Sequence, residues 1–416
     1  MDILYACTLY PPAIGGAQIH LHRLALQVQA HGHQVRVLTC SGRNRTDWLR
    51  LSTTAPEPRR DYVHEGIPVS QLGYGPALRR RMLPWMLAYY AAMGPAVRQI
   101  SRLVSGEIPW PAQPPSLVHV SRVGREFLAV AVLNYARRHG VPFILTPNHH
   151  PRWHGHLYRE YDKVYRQADA VIALTEAEKT TLVKQKGLHP ERVHVTGIGP
   201  VLSEHFSAEA FRERFQIPGR FVLYLGQQLR YKGVGALVNA APYVWRHHPD
   251  VHFVFIGPPS GYSQKLFSRV RDKRLVNLGS VDLETKTSAL AACDLLCLPS
   301  AQESFGGVFV EAWMHRKAVV GGRIPPIADV IDEGRDGLLS SQSPTELASA
   351  VNRLLSDPDA CAAMGQAGWE KVQARFTWEK LAEQTLGIYQ SLGVSDNALA
   401  EVVGAHHAPG SLKTVS

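Results

Sequence analysis

Short apolar runs alternate with amphipathic segments from the start of the chain onward. Residues 2–8 form an apolar run that ends in a loop rich in proline and glycine. Apolar residues then recur at helical spacing between 21 and 28, and a second apolar run covers 35–39. This order predicts a βαβ unit, in which two parallel strands need a crossover helix. The same alternation predicts further elements at 116–120, 126–138 and 143–146.

The alternation restarts near residue 220. An apolar run at 221–225 is followed by a helix from Val234, and further strands are predicted at 251–256, 276–278, 294–298 and 318–321. We therefore expect an α/β protein with two doubly wound, Rossmann-like domains that face each other across a cleft. Loops at the carboxyl ends of both sets of strands would line that cleft.

The expected domain boundaries follow from this restart. We expect an N-terminal domain over 1–200 and a C-terminal domain over 201–375. A C-terminal helix is expected over 376–395, packed back on the N-terminal domain, and a loose tail over 396–416. A chain of 416 residues with 45% hydrophobic side chains is large enough for two ordinary cores. The sequence has no collagen period, heptad run or internal repeat, which excludes fibrous and solenoid classes.

Charge is unevenly distributed along the chain. Up to residue 200 there are 24 Lys and Arg against 13 Asp and Glu, and after it 21 against 22. A basic first half indicates an anionic partner, such as a phosphate-bearing substrate or an acidic lipid, or else merely a soluble basic domain. The arginines are spread over several elements without a recognition motif, so we expect no nucleic acid as a partner.

Cysteine usage and the N-terminus favour the cytoplasm. Five cysteines, an odd number without disulfide spacing, are typical of a reducing compartment. No basic segment precedes the first apolar run, so we expect a strand there and not a signal peptide.

The segment between 303 and 313 is the most informative for chemistry. It follows a predicted strand and opens a helix, so the backbone N–H groups of Gly306, Gly307 and Val308 are expected to form an anion site at a helix N-terminus. Glu303 and Glu311 flank these residues. Because carboxylates repel phosphate but accept hydrogen bonds from hydroxyl groups, the pattern favours a ligand with sugars on both sides of a diphosphate.

Two further loops follow predicted strands. Lys232 precedes a helix, where it can reach a phosphate as a mobile charge. In the first loop, Gly15 and Gly16 permit close approach of a ligand to the backbone, and Gln18 and His20 lie just inside the next helix. The spacing is not a dinucleotide fingerprint, which disfavours a dehydrogenase.

Together these segments resemble the retaining glycosyltransferases of family 4, which have the GT-B fold. The resemblance covers nearly the whole chain and includes similarity to the phosphatidylinositol mannosyltransferases. The residues that carry it, besides those above, lie at 15–20, 32–35, 278–282, 286, 292–294, 299–300 and 332–339.

The resemblance implies a hexosyltransferase that uses a GDP- or UDP-linked sugar and an acceptor that is lipid-linked or phosphate-bearing. The C-terminal domain would bind the donor and the N-terminal domain the acceptor. Glu303 would bind hydroxyls of the transferred sugar, Glu311 the donor ribose, Lys232 the diphosphate, and Val281 would lie against the base. The other implied donor-binding residues are Phe305, Gly306, Gly307 and Val308.

One departure from the family pattern affects the donor site. The family usually has arginine where this chain has Gln227, so one positive charge is missing unless Arg230 replaces it. The family's catalytic-region histidine is matched by His149 or His150, of which we favour His149. In the family this histidine contacts the transferred sugar, and the leaving diphosphate accepts the acceptor's proton. Positioning and electrostatic stabilisation would then supply the rate.

Histidines at 149–156 also suggest a metal site. Proline and glycine break any helical pairing of these imidazoles, and no cysteine or carboxylate completes the set nearby. The resemblance implies that no divalent ion is needed. We therefore expect no metal and no other cofactor.

The segment 79–90 combines three arginines with an apolar, aromatic stretch. Its apolar run is short and is interrupted by proline, so it cannot span a bilayer. It is either a core helix with a basic end or a segment that lies on an anionic membrane surface, with aromatic side chains at headgroup depth. If the segment lies on a membrane surface, the protein is expected at the inner face of the membrane.

Two other functions remain open at this stage. One is a nucleotide-sugar-dependent synthase or phosphorylase that acts on a small sugar phosphate. The other is a catalytically weak protein that binds sugar nucleotides, which Gln227 alone favours.

Overall fold

The computed structural model describes residues 1–11, 16–41, 56–121, 127–149 and 158–394. Within these residues the chain divides into two compact units. The described parts of the first unit lie within 1–147, 158–172 and 382–394, and those of the second within 148–149 and 173–381. The division falls earlier than the expected boundary at 200, because residues such as Ala177, whose N–H donates to Asp329 Oδ2 (2.5 Å), contact the second unit. The expected tail at 396–416 lies outside the described residues.

The first part of the chain alternates strands and helices. Its elements are β1 (Asp2–Leu9), α1 (Gly16–Ala30), β2 (Gln34–Ser41), β3 (Arg60–His64), β4 (Ile67–Gln71), α2 (Pro76–Ala88), α3 (Met93–Ser105), β5 (Leu117–Ser121), α4 (Phe127–His139), β6 (Phe143–Thr146), α5 (Arg159–Gln167), β7 (Ala170–Ala173), α6 (Glu176–Lys186) and β8 (Val193–Val195). The strands form one sheet in the order β3-β4-β2-β1-β5-β6-β7-β8. Strand β1 pairs in parallel with β2 and β5. Its burial by neighbours on both sides explains its continuous apolar run.

The second part restarts the same pattern. Its elements are α7 (Ala208–Phe215), β9 (Phe221–Leu225), α8 (Val234–Val244), β10 (His252–Ile256), α9 (Gly261–Phe267), β11 (Leu275–Gly279), α10 (Leu283–Ala292), β12 (Leu295–Leu298), α11 (Gly307–Met314), β13 (Ala318–Gly322), α12 (Pro325–Ala328), β14 (Gly337–Ser340), α13 (Pro344–Ser356), α14 (Pro358–Lys371) and α15 (Trp378–Ser391). The sheet order is β11-β10-β9-β12-β13-β14, and its strand pairs are parallel. The prediction of two doubly wound, Rossmann-like units is confirmed.

The strand order of the second sheet identifies a ligand position. From β9 the chain moves to β10 and β11 on one side and then returns to β12 on the other side of β9. Ligands of open α/β sheets bind at such a reversal, beyond the carboxyl ends of the two strands. The loops that follow β9 and β12 are therefore the ones that build the site.

The last helix also contributes to the first unit. The hydroxyl of Tyr389, near the end of α15, is hydrogen-bonded to the hydroxyl of Tyr5 on β1 (3.0 Å) and to Nδ1 of His119 on β5 (2.6 Å). All three side chains are buried. This polar contact fixes the C-terminal turn of α15 on the sheet of the first unit.

Sequence patterns did not predict the hairpin formed by β3 and β4. The pair is antiparallel, and its two-residue turn has positive φ at Glu65 (44°) and Gly66 (81°), which is the type I′ geometry that matches strand twist. Strand β3 is largely exposed, so it lacks the apolar run by which strands such as β1 and β9 were found. Strands β7, β8 and β14 were also not predicted. Across the described residues, none of the helices combines the length and apolar character that crossing a membrane requires.

Candidate active site

The loop after β9 packs against the turn after β12. Lys232 ends a 3-10 turn, and Gly233 follows with a φ of 81°. A Cβ atom at Gly233 would lie 2.6 Å from the carbonyl oxygen of Pro299, so only glycine fits this contact. The close packing brings the side chain of Lys232 to the segment that carries Glu303.

Lys232 Nζ and Glu303 Oε1 form an ion pair. The two side chains are 16% and 12% exposed, respectively. Because little water reaches the pair, the attraction is stronger than between surface charges. The structure therefore brings together the residues expected to bind a diphosphate and a sugar hydroxyl.

Gln227, at the position where the family usually has arginine, contributes a backbone carbonyl to the loop and no positive charge. The carbonyl of Gln227 accepts hydrogen bonds from the hydroxyl of Tyr224 (2.9 Å) and from the N–H of Leu229 (2.8 Å), while its side chain is exposed. Burial raises the pKa of Tyr224 far above its usual value, and the nearby charge of Glu303 acts in the same direction. Arg230 is also exposed.

Helix α11 begins beside this ion pair. Its N-cap is Gly306 with a φ of 85°, and among the described side chains none caps this end. A Cβ at Gly306 would lie 2.5 Å from the ring of Phe309, so the sharp entry into the helix requires glycine. Gly307 and Val308, the first helical residues, are partly exposed. Uncapped N–H groups at a helix start form a suitable anion site.

Glu311, one turn further along α11, is held by a lysine that the site predictions did not include. Its Oε1 accepts from Lys286 Nζ (2.9 Å) and from the N–H of Val201 (3.3 Å), and Lys286 Nζ also donates to the carbonyl of Val201 (2.6 Å). Glu311 is 7% exposed. Its other oxygen, Oε2, is buried and has no hydrogen-bond partner among the described residues, so it can accept a hydrogen bond from a ligand.

A cavity of about 580 Å³ lies beside Glu303 within the second unit. His149 and Ser304 line it together with several carboxylates, and Ser304 Oγ donates to the carbonyl of His149 (3.4 Å). Asn148, the residue before His149, has a backbone φ of 47°, which lies in the left-handed region. His149 is 6% exposed. The acidic lining consists of Glu176, Glu178, Glu303 and Asp329.

Glu178 holds the backbone at His149. Its Oε1 accepts from the N–H of His149 (2.6 Å) and its Oε2 from the N–H of Leu174 (2.7 Å). Burial raises the pKa of the Glu178 carboxyl to about 7, while the two backbone hydrogen bonds lower it. Sequence reasoning missed this residue, because its position in the first turn of α6 resembles that of an ordinary helix-start glutamate.

The remaining predicted residues are dispersed. Phe305 is 2% exposed and packs edge-to-face on Phe376 in the core, so its side chain supports the loop rather than offering a donor contact. Val281 is partly exposed just after β11. Gly16, Gln18 and His20 lie on α1 in the first unit, where burial lowers the pKa of His20 to about 4. The predicted residues Gly15 and His150 lie outside the described residues.

Two family models match this chain. Residues 15–199 match the "Glycosyl transferase 4-like domain", and residues 219–357 match "Glycosyl transferases group 1". Together they cover most of the chain, and each covers one of the two sequence regions with its own alternation of strands and helices.

Curated relatives agree with these models. The chain is 30% identical over 248 residues to the D-inositol 3-phosphate glycosyltransferase of Corynebacterium urealyticum, an alignment that covers 55% of this chain and 58% of the relative. In this and two similar alignments the chain spans 58%, 64% and 62% of the relatives' own lengths, less than two thirds in each case.

Solved structures share the fold. Sucrose-phosphate synthase from Thermosynechococcus elongatus superposes with a TM-score of 0.74 at 18% identity, covering 94% of this chain and 99% of that one. Anabaena HepE in complex with UDP and glucose superposes with a TM-score of 0.67 at 19% identity, with the same coverage. From the two family matches and this shared fold, the chain belongs to the GT-B glycosyltransferases of family 4.

Proposed function

We propose that the protein is a retaining hexosyltransferase that moves a sugar from a UDP- or GDP-linked donor to a phosphate-bearing acceptor. One observation carries the proposal. An uncapped helix start and a lysine, which suit a diphosphate, lie between two carboxylates, which suit hydroxyl groups.

The diphosphate would bind at the start of α11. Its charge would be stabilised by the N–H groups of Gly307 and Val308, by the helix dipole and by Lys232. Gln227 supplies no charge here, and the exposed guanidinium of Arg230 is the nearest substitute in sequence. Diphosphate binding should therefore depend more strongly on Lys232 here than on the corresponding lysine in a site that also has an arginine after the glycine.

The two sugars of the donor would lie on opposite sides of this point. Glu311 Oε2 is the buried acceptor for the ribose hydroxyls, with Lys286 holding the other oxygen. The transferred sugar would lie in the cavity beside Glu303, within reach of His149. An acidic, hydroxyl-accepting cavity suits a neutral hexose, since a phosphate would be repelled there.

Named relatives support the classes of substrate. A neighbouring structure holds UDP and glucose, and another is a sucrose-phosphate synthase. The relative from Corynebacterium acts on D-inositol 3-phosphate according to its name. A phosphorylated small acceptor also agrees with the basic first half of this chain.

The proposed reaction needs no protein nucleophile. The bond between the anomeric carbon and the diphosphate breaks, the acceptor oxygen bonds to the same face of that carbon, and the acceptor's proton passes to the departing diphosphate oxygen. The residues of the chain orient both substrates and stabilise the developing negative charge through Lys232 and the start of α11. Because these groups supply the positive charge, we expect transfer to proceed without a divalent ion.

A thermal-shift panel tests the donor site. UDP, GDP, ADP and their common sugar conjugates are added to the protein in the presence of EDTA, since a ligand of the native state raises its melting temperature. We expect one nucleotide to give a selective shift that Lys232→Ala removes and that Lys273→Ala, which changes an exposed lysine of the same unit, leaves intact. If folded protein shifts with none of them, the proposed donor site is wrong.

Product analysis separates the remaining alternatives. With the selected donor, turnover is measured with hexose phosphates, inositol phosphate and lipid acceptors in the presence of EDTA. Retention is read from the anomeric coupling constant of the product by NMR. Turnover with a small sugar phosphate favours a synthase, and turnover with lipid alone favours a membrane-linked acceptor. A nucleotide shift without any turnover would leave a sugar-nucleotide-binding protein.

We also propose that helix α2 contacts an anionic membrane surface from the cytoplasmic side. Leu83 and Leu87, one turn apart on α2, are 39% and 76% exposed, beside the exposed Arg80 and Arg81, and Tyr90 in the turn after the helix is 59% exposed. Such a face suits the lipid interface. Sedimentation with vesicles that contain phosphatidylglycerol should remove wild-type protein from solution and leave a Leu87→Glu variant behind. Equal behaviour of the two proteins would contradict this contact.

A further inference from the structure

We infer that His22, His64 and Glu65 form a binding site for one divalent transition-metal ion of the zinc type. His22 lies on α1, His64 ends β3, and Glu65 occupies the hairpin turn before β4. All three belong to the first unit, and the residues proposed above to bind the donor belong to the second. The site is therefore separate from the proposed chemistry, which needs no ion.

The three side chains converge. One ligand atom from each lies within 4.8 Å of the others. His22 Nε2 is 3.2 Å from Glu65 Oε2, and His64 Nε2 is 3.9 Å from Glu65 Oε1. In a tetrahedral site with metal–ligand bonds of about 2.0–2.1 Å, ligand atoms lie roughly 3.3 Å apart. Small side-chain rotations would bring all three atoms to that spacing.

The ring of His22 is held in the orientation that a metal ligand needs. Its Nδ1 is hydrogen-bonded to the hydroxyl of Tyr10 (2.7 Å), which is fully buried. A hydrogen bond at one ring nitrogen fixes the imidazole and directs the other nitrogen toward a metal. The hydroxyl of Tyr10 thus makes the supporting hydrogen bond that orients ligating histidines in known metal sites.

The other nitrogen of this ring faces the carboxylate of Glu65. His22 Nε2 is buried and makes no well-aligned hydrogen bond to any described residue, although Glu65 Oε2 is close to it. The side chain of His22 is 5% exposed. An ion bound between this nitrogen, the second imidazole and the carboxylate would give all three groups a common, well-aligned partner.

The surroundings favour a borderline metal and leave one position open. Two imidazoles and one carboxylate suit Zn²⁺, Co²⁺ or Ni²⁺ better than Mg²⁺ or Ca²⁺, which prefer oxygen ligands. The side chains of His64 and Glu65 are 28% and 52% exposed, so water can supply a fourth ligand. Arg23 Nη1, 4.0 Å from Glu65, is the nearby cation that competes for this carboxylate.

Binding would connect two parts of the first unit. The ion would join α1 to the β3–β4 hairpin, and α1 carries Gly16, Gln18 and His20, the residues expected near the acceptor. We therefore assign the ion a role in holding α1 in position rather than in the transfer of the sugar.

Calorimetric titration of the metal-stripped protein with Zn²⁺ tests the site. We expect one equivalent to bind to wild type, and His64→Ala and Glu65→Gln each to weaken the binding at least tenfold. The matched control is His189→Ala, which removes a histidine from an exposed pair with Glu191 (3.8 Å). It should bind like wild type.

Cobalt provides a second readout that does not depend on stability. Co²⁺ at the site should give the visible absorption of a four-coordinate ion in wild type and lose it in His64→Ala. Melting curves without metal show whether each variant is folded. Unchanged Zn²⁺ affinity in His64→Ala and Glu65→Gln, or no stoichiometric binding in wild type, would overturn the assignment. The nucleotide panel is run in EDTA, so its outcome is independent of this one.

Discussion

The carboxyl group of Glu178 should make the protein less stable as the pH rises from about 4.5 to about 7. Burial raises its pKa from 4.5 to about 7. In the unfolded chain the group loses its proton near its ordinary pKa, so between these two values the folded state binds more protons than the unfolded state. The free energy of unfolding must then fall as the pH rises across this window.

The size of the effect follows from the shift in pKa. Each unit of pKa difference is worth about 1.4 kcal/mol, so the contribution amounts to about 3 kcal/mol. It is fully present below pH 4.5 and is lost as the pH rises to about 7. Glu178→Gln removes the titration, since glutamine stays neutral. The stability of the variant relative to wild type should therefore increase by about 3 kcal/mol between pH 4.5 and pH 8.

Urea unfolding at several pH values measures this difference. Other titratable groups line the same cavity, namely His149, Glu176, Glu303 and Asp329, but they are common to both proteins and largely cancel. Glu191→Gln, which changes an exposed glutamate, serves as the control and should show no such trend.

One outcome would refute the reasoning. The hydrogen bonds from the N–H groups of His149 and Leu174 favour the charged carboxylate, in opposition to burial. If they outweigh burial, the difference between wild type and Glu178→Gln stays constant across the pH range or declines. The pKa of Glu178 in the folded protein would then be ordinary or low.

Two further predictions concern α11. Gly306→Ala should lower the free energy of unfolding, measured by urea unfolding, by about 1–3 kcal/mol, because alanine at a φ of 85° is strained and its Cβ would collide with the ring of Phe309. The control is Gly261→Ala, at a helix start where no other atom lies near the added Cβ, and it should leave the stability unchanged. Lys286→Met should cost about 3 kcal/mol at pH 8, because it leaves the buried carboxylate of Glu311 without its cation. Thermal melts measure this loss, and adding Glu311→Gln, which replaces the buried carboxylate with a neutral amide, should restore most of the stability. A double variant as unstable as Lys286→Met alone would argue against an uncompensated charge at Glu311 as the cause.

Five of the six strands of the second sheet, all but β14, were predicted from sequence to within one residue at each end, for a physical reason. Strand β9 lies in the middle of a parallel sheet and is buried throughout, so it appears as an uninterrupted apolar run. The start of α8 at Val234 was equally clear, because Gly233 precedes it. The hairpin of β3 and β4 was missed because an exposed edge strand has no such run.

The candidate site was only partly predictable for a different reason. Glu303, Lys232 and Glu311 follow strands or open a helix, where the family motif identifies them. The contact of Lys286 with Glu311 and that of Glu178 with His149 join residues far apart in sequence. Such pairs follow from the packing of helices, which periodicity does not specify. The same holds for His22 and the hairpin turn.

The pairing of Lys232 with Glu303 leads to a prediction that separates binding from catalysis. In the absence of donor, the cation that should bind the diphosphate is neutralised by a carboxylate, so the diphosphate must compete with Glu303 for it. Glu303→Gln removes this competition and an adjacent negative charge. We expect the variant to bind UDP or GDP several-fold more tightly, which corresponds to about 1 kcal/mol. Turnover should nevertheless fall, because the neutral amide is a weaker hydrogen-bond acceptor for the hydroxyl groups of the transferred sugar than the carboxylate is. Calorimetry with the nucleotide alone and initial rates with the sugar conjugate measure the two effects. Weaker nucleotide binding by the variant would mean that Glu303 supports the diphosphate site instead of competing for Lys232.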